Sequence, residues 1–132
     1  MGLLTNIEIE EALVTKLQTN LPNHRVEPYP DDPSKFEFTH RNGGVLIKYN
    51  SSNFGLLEGY KQSRTAEWNI VVWARSLRKA DGVYELLELV RKYLCAFQPA
   101  FYQTSEGFIM HEDGIWQYGM SFRSDYYYIM GE

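Results

Sequence analysis

Thr65-Ala66-Glu67-Trp68-Asn69-Ile70-Val71-Val72-Trp73-Ala74-Arg75 is the stretch that decides the fold. Ala66, Trp68, Ile70, Val72 and Ala74 recur at every second residue, and in an extended chain such positions share one face. Thr65, Glu67 and Asn69 begin the other face polar, but Val71 and Trp73 turn it apolar toward the C-terminal end. That half of the strand therefore requires cover on both sides, from a second helix, a loop or a partner chain.

Downstream, Val83, Leu86, Leu87, Val90, Leu94 and Phe97 follow i, i+3, i+4, i+7 spacing, which predicts a helix from about Gly82 to Phe97. Asp81 is the expected N-cap and Pro99 the stop. Beyond it, Gly107 to His111 and Ile115 to Arg123 flank Glu112-Asp113-Gly114, and Asp-Gly between two β-prone runs predicts a hairpin. Trp116, Tyr118, Met120 and Phe122 alternate with Gln117, Gly119, Ser121 and Arg123, the pattern of a half-buried strand.

Upstream, Thr5-Asn6-Ile7-Glu8 has capping-box spacing, and Ile9, Ala12, Leu13, Leu17 and Leu21 make one apolar stripe. Pro22 limits this first helix to about Asn20. Arg25 to Tyr29 reads as a short extended segment that ends in the turn Pro30-Asp31-Asp32-Pro33. Phe36 and Phe38 alternate with polar neighbours, which predicts a short strand or edge segment. After Asn42-Gly43-Gly44, Val45-Leu46-Ile47-Lys48-Tyr49 reads as a strand. Asn50 to Ser63 fits no regular element: it mixes Gly, Ser and Asn with Phe54, Leu56, Leu57 and Tyr60. Loops of this kind are often functional. The order helix, strands, helix, hairpin predicts a single-domain α+β fold over residues 1–132, a mixed or mainly antiparallel sheet with two helices packed on it.

Composition narrows the function. Thirteen Lys and Arg against seventeen Asp and Glu give a net charge of −4, which argues against nucleic acid as the primary ligand. The small basic group Arg75, Arg78 and Lys79 reads as a solvated turn. No apolar run approaches the ~20 residues that span a bilayer, and the N-terminus lacks the basic start of a signal peptide. The expectation is a soluble and, by default, cytoplasmic protein. His24, His40 and His111 are scattered, and His111-Glu112-Asp113 falls at a predicted turn, so no metal set is expected. Cys95, the one cysteine, late in an amphipathic helix, reads as a small buried hydrophobe. No nucleophile elbow or phosphate-binding loop occurs, so the expectation is a non-enzymatic chain without cofactor.

Other residues fit an interaction protein. Ten Tyr, seven Phe and three Trp are a high aromatic content, and aromatics supply contact area at little rotamer cost. Tyr126-Tyr127-Tyr128-Ile129-Met130 near the C-terminus is either an ordinary last strand or contact surface. Loop composition makes Phe54, Leu56, Leu57, Tyr60 and Arg64 the candidate interface residues.

The series Arg25-Val26-Glu27-Pro28-Tyr29-Pro30-Asp31, Gly44-Val45-Leu46-Ile47-Lys48-Tyr49, Asn53-Phe54-Gly55, Gln62-Ser63-Arg64, Ala74-Arg75-Ser76-Leu77-Arg78, Gly82-Val83-Tyr84-Glu85-Leu86-Leu87-Glu88 and Asp113-Gly114-Ile115-Trp116-Gln117-Tyr118 is collinear. It resembles the Mu-like phage tail proteins grouped with tail terminators. The resemblance implies structural work in a phage or prophage tail. Such proteins form a ring, generally a hexamer, on the head-proximal end of the tail tube, where they stop tube growth and offer a head-joining surface. Their partners are further copies of the chain, the tail tube and head-completion proteins. The resemblance carries no catalytic residues. Another neck, tail-completion or tube component is the nearest alternative, followed by a small ligand-binding or regulatory α+β domain whose aromatics line a pocket.

Overall fold

A computed structural model describes residues 5–38, 42–95 and 101–129, with the side chains of 126–129 outside the description. In chain order the elements are α1 (Asn6–Asn20), β1 (Arg25–Pro28), a 3-10 turn (Pro33–Lys35), β2 (Gly44–Glu58), β3 (Lys61–Ala74), α2 (Val83–Leu94), β4 (Phe101–Glu112) and β5 (Ile115–Ile129). The strands form one mixed sheet in the order β1-β2-β3-β5-β4. Among the described residues only the β1–β2 pair is parallel. The α+β class read from the sequence is the observed one.

The Thr65 strand lies at the centre, as part of β3. Ala66, Trp68, Ile70, Val72 and Ala74 are buried on one face together with Val45, Ile47, Met120 and Phe122. Both helices cover this face: α1 contributes Ile9, Leu13, Val14 and Leu17, and α2 contributes Val83, Leu86, Leu87, Val90 and Leu94. At about 1.5–3 kcal/mol for each large apolar side chain fully buried, this cluster is the main stabilising term.

The start of α1 is as the sequence predicts. Glu8 N–H donates to Thr5 Oγ1 at 3.1 Å, and Thr5 N–H donates to Glu8 Oε1 at 3.0 Å. The backbone bond to Thr5, then the bond to its hydroxyl, holds the Glu8 carboxyl below its ordinary pKa. The second helix differs at its start. Its N-cap is Gly82, with no side-chain cap bond, and Asp81 sits at φ +62°, so it belongs to the turn that precedes the cap. Cys95 caps the C-terminal end and is exposed, which corrects the buried reading: one residue past Leu94, the position rotates off the apolar stripe. Phe97 and Pro99 lie outside the described residues.

The second face of β3 is covered by a loop. Phe36 and Phe38 form no strand; they follow the 3-10 turn that Asp32 caps by accepting from Ser34 N–H at 3.3 Å. Both rings pack edge-on against Trp73, at centroid distances of 5.7 and 5.3 Å, and against each other at 5.0 Å. Arg25 fixes the loop: its guanidinium lies 4.4 Å from the Phe36 ring centroid and donates to the Glu37 carbonyl at 3.0 Å. Trp73 in turn lies across Gly44, where a Cβ would stand 2.5 Å from the indole and 2.3 Å from the Arg25 carbonyl.

The largest difference from the sequence reading is at Asn50–Ser63. It is not irregular: β2 runs on to Glu58, and β3 starts at Lys61 across a tight turn whose Gly59 has φ +65°. The Gly, Ser and Asn that mimic a loop mark two interruptions of the ladder, at Asn50 and at Gly55–Leu56. At the other end the Asp113-Gly114 turn is as predicted, with φ of +53° and +76°. β5 continues to Ile129 beside β3, so the Tyr126–Ile129 backbone is a last strand; Met130 lies outside the description.

Two outcomes follow from these contacts. Gly44→Ala is expected to lower stability by about 1–3 kcal/mol, read from the urea midpoint, while Gly107→Ala, where a Cβ meets nothing within 4 Å, leaves it nearly unchanged. Because the folded pKa of Glu8 is depressed, the capping box contributes fully above the ordinary carboxylate range and is lost as pH falls through the lowered value. Amide exchange at the first turn of α1 should accelerate over that acid window; Glu8→Gln should abolish the pH dependence, whereas Thr5→Ala, costing about 1 kcal/mol, should only weaken it, because alanine keeps the backbone N–H that bonds the Glu8 carboxylate.

Candidate functional site: an apolar arm and an open groove

Among the described residues, β4 pairs with β5 from Phe101, opposite Ser124. Past that register the described strands β2, β3 and β5 continue as an arm, with Lys61 opposite Ile129 at its end. The buried cluster reaches no further along β3 than Ala66, so the arm outruns the core. Phe54 and Leu57 are 54% exposed, Tyr60 70% and Leu56 90%.

Ladder irregularity explains the most exposed of these. Phe54 pairs with Arg64 and Leu57 with Gln62, leaving Gly55 and Leu56 opposite Ser63 alone. An extra residue in one strand bends it and re-aims a side chain, and Leu56 is thrown outward. At Gly55 a Cβ would stand 2.1 Å from Ser63 Oγ and 3.5 Å from its Cβ, a contact that rotation of the Ser63 hydroxyl relieves.

Arg64 differs from the other four candidates: it is buried and ties the arm to the body. Its Nη2 donates to Asn6 Oδ1 at 2.7 Å and its Nε to Ser52 Oγ at 2.9 Å. Its guanidinium carbon lies 5.7 Å from the Tyr49 ring and 5.6 Å from the Phe54 ring. Ser52 Oγ is 2.6 Å from the Tyr49 hydroxyl. Burial pushes the Tyr49 phenol up, but the bonds to Ser52 and Arg64 and the guanidinium charge outweigh it and hold the group below its ordinary value.

At the opposite end of the sheet, the β4–β5 hairpin exposes Phe108, Ile109 and Met110. Ile109 is again an unpaired residue, between the pairs Phe108–Tyr118 and Met110–Gln117. On the helix side, Phe108 lies 5.7 Å from Tyr118, and His111 stacks on Trp116 at 4.0 Å. On the far side an open groove of about 740 Å³ runs between the Phe36–Phe38 loop and the hairpin. Phe36, Phe38, Met110 and Ile115 give it an apolar lining, with Arg75 and the carboxylates of Glu37, Glu112 and Asp113 at its edges. Sequence reading does not find this groove, because its two walls, at Phe36–Phe38 and at Met110–Gln117, are distant in the chain and each looks unremarkable alone. The only advance sign was that the second face of β3 required cover.

Among the described residues, no group of three or more His, Cys, Asp or Glu could hold a metal ion, and no helix is long and apolar enough to cross a membrane. His111-Glu112-Asp113 lies at the hairpin turn, with its imidazole on Trp116.

Residues 13–131 match the family model described as Gp37 protein. The match covers most of the chain, which therefore belongs to that family of phage proteins. No curated protein matches it.

Replacing Arg64 tests the arm's anchorage. Arg64→Ala removes two charged hydrogen bonds, each worth about 1.5–3 kcal/mol, and should speed amide exchange in residues 50–66 far more than in α2. Arg64→Lys should rescue it only in part, because an ammonium cannot bridge Asn6 and Ser52 in the guanidinium's geometry.

Proposed function

We propose, with membership of the Gp37 phage family as the premise, that this chain is a structural tail protein. In this reading it acts as a tail terminator: copies assemble in a ring, a hexamer, on the head-proximal end of the tail tube, stop its growth and present a surface for head joining. The single observation that carries the assembly role is the arm. Large apolar side chains exposed on one element mark an interaction surface, and here Phe54, Leu56, Leu57 and Tyr60 are each more than half exposed on strands that, among the described residues, outrun the buried cluster.

The arm suits assembly physically. Its three strands satisfy one another's backbone groups, so it can present side chains without leaving the ladder open along its centre. Arg64 holds its base, which lowers the entropy lost when it docks. The collinear resemblance to Mu-like tail proteins supports the terminator role in particular, and the family match supports the phage context. The working location in this reading is the host cytoplasm during assembly and the tail in the virion, and the chain needs no catalytic group or cofactor.

The test has two arms. Phe54→Ser combined with Leu57→Ser should leave the chain folded, because both side chains are more than half exposed, and should abolish its self-association as read from native mass. Added to polymerising tube subunits, the wild-type chain should shorten the tube-length distribution seen by electron microscopy, and the double variant should not. Unchanged tube lengths with the wild-type chain would remove the terminator role, and intact association of the double variant would remove the arm from the interface.

A further inference from the structure

Thr5, Ile7 and Glu8 are exposed and Asn6 is half-buried, so the first α1 side chain buried in the core is Ile9. Apolar packing therefore does not hold the first turn, and helix ends without such support fray. Two sets of hydrogen bonds meet there instead. One is the capping box between Thr5 and Glu8, beside which Ile9 N–H donates to the Thr5 carbonyl at 3.0 Å. The other comes from 58 residues away, where Arg64 Nη2 donates to Asn6 Oδ1 at 2.7 Å. Asn6 is the first residue of the helix and stands between the two halves of the box. We propose that the cap and the arm order each other: the Thr5–Glu8 box holds Asn6 where it receives Arg64, and Arg64 in turn ties the first turn to the arm.

Arg64 is built to transmit order in this way. It is only 8% exposed, and a buried charged donor that loses its acceptor carries a desolvation penalty. Its planar fork points the donors in fixed directions. With Nε on Ser52 Oγ at 2.9 Å, and that oxygen 2.6 Å from the Tyr49 hydroxyl, the direction of Nη2 is set. It meets Asn6 Oδ1 while the first turn is helical and loses it when the turn frays. Helix α1 packs on β1, β2 and α2, and the Asn6 bond carries the contact across to β3. Linkage between two ordering events is reciprocal. Whatever orders the arm, an assembly contact included, also orders the start of α1, and a change at Thr5 reaches strands that lie far from it in sequence. The linkage belongs to the isolated chain and does not depend on the assembly role proposed above.

Residue-resolved amide exchange on the full chain tests it, with every rate taken relative to α2 so that a general loss of stability cancels. Thr5→Ala combined with Glu8→Ala removes both side-chain bonds of the cap while keeping a good helix former at each position. Exchange in residues 50–66 should then rise by as much as roughly fivefold, the ceiling set by a lost N-cap. In the reverse direction, Arg64→Ala should speed exchange at the Glu8 and Ile9 amides. Asn6→Ala removes the link, so in that background the cap variant should no longer change residues 50–66. Asn6→Asp strengthens it, because a carboxylate at the first helical position accepts a charge-assisted bond from Arg64 and suits the helix dipole; exchange should slow in both segments. If the cap variant speeds the first turn but leaves residues 50–66 unchanged relative to α2, or speeds them equally with and without Asn6, the linkage is wrong. Asn6→Asp that slows the first turn alone also contradicts it.

Discussion

Everything in this molecule is arranged around a strand that is buried on both faces at one end and free of the core at the other. Trp68 and Trp73 are both fully buried, on opposite faces of β3. Trp68 belongs to the cluster roofed by the helices; Trp73 lies under the Phe36–Phe38 loop and across Gly44. Polar backbone in such a place must be hydrogen-bonded on both sides, and β2 and β5 supply that. The five-stranded order, the parallel β1–β2 connection and the loop over the second face are consequences of covering this strand.

The same strand produces the arm. Helix α1 begins at Asn6, and its first turn is where Arg64 reaches back. Past that point no helix residue is part of the buried cluster, yet three strands continue. An isolated hairpin is marginal in water, and a third strand adds support. The arm combines a rigid ladder with exposed Phe54, Leu56, Leu57 and Tyr60, and rigid presentation of apolar anchors is what an assembly contact requires.

How much of this was legible in the sequence depends on the range of the determining contact. The capping box at Thr5, the α2 stripe and the Asp113-Gly114 hairpin are set within a few residues, and all three are read correctly. Asn50–Ser63 misleads because bulge residues and loop residues have the same composition: only the partner strand, with Ser63 facing both Gly55 and Leu56, distinguishes them. Asp81 misleads because it has a good capping side chain but a left-handed φ, which sequence does not reveal. Phe36 and Phe38 alternate as in a strand, but their partner is the Trp73 ring from a distant segment. Composition alone points to the arm side chains, whereas the buried state of Arg64 and the groove come only from tertiary contacts. The phage family accounts for the setting in which such surfaces are useful.

The central claim is that the arm is covered when the protein does its work. Hydroxyl-radical footprinting of the chain alone and of the chain on assembled tails compares the reactivity of Phe54, Leu56, Leu57 and Tyr60 in the two states. The account predicts that these four side chains lose most of their reactivity in the tail, while buried side chains such as Trp68 are unreactive in both. Equal reactivity of the four in both states would contradict it.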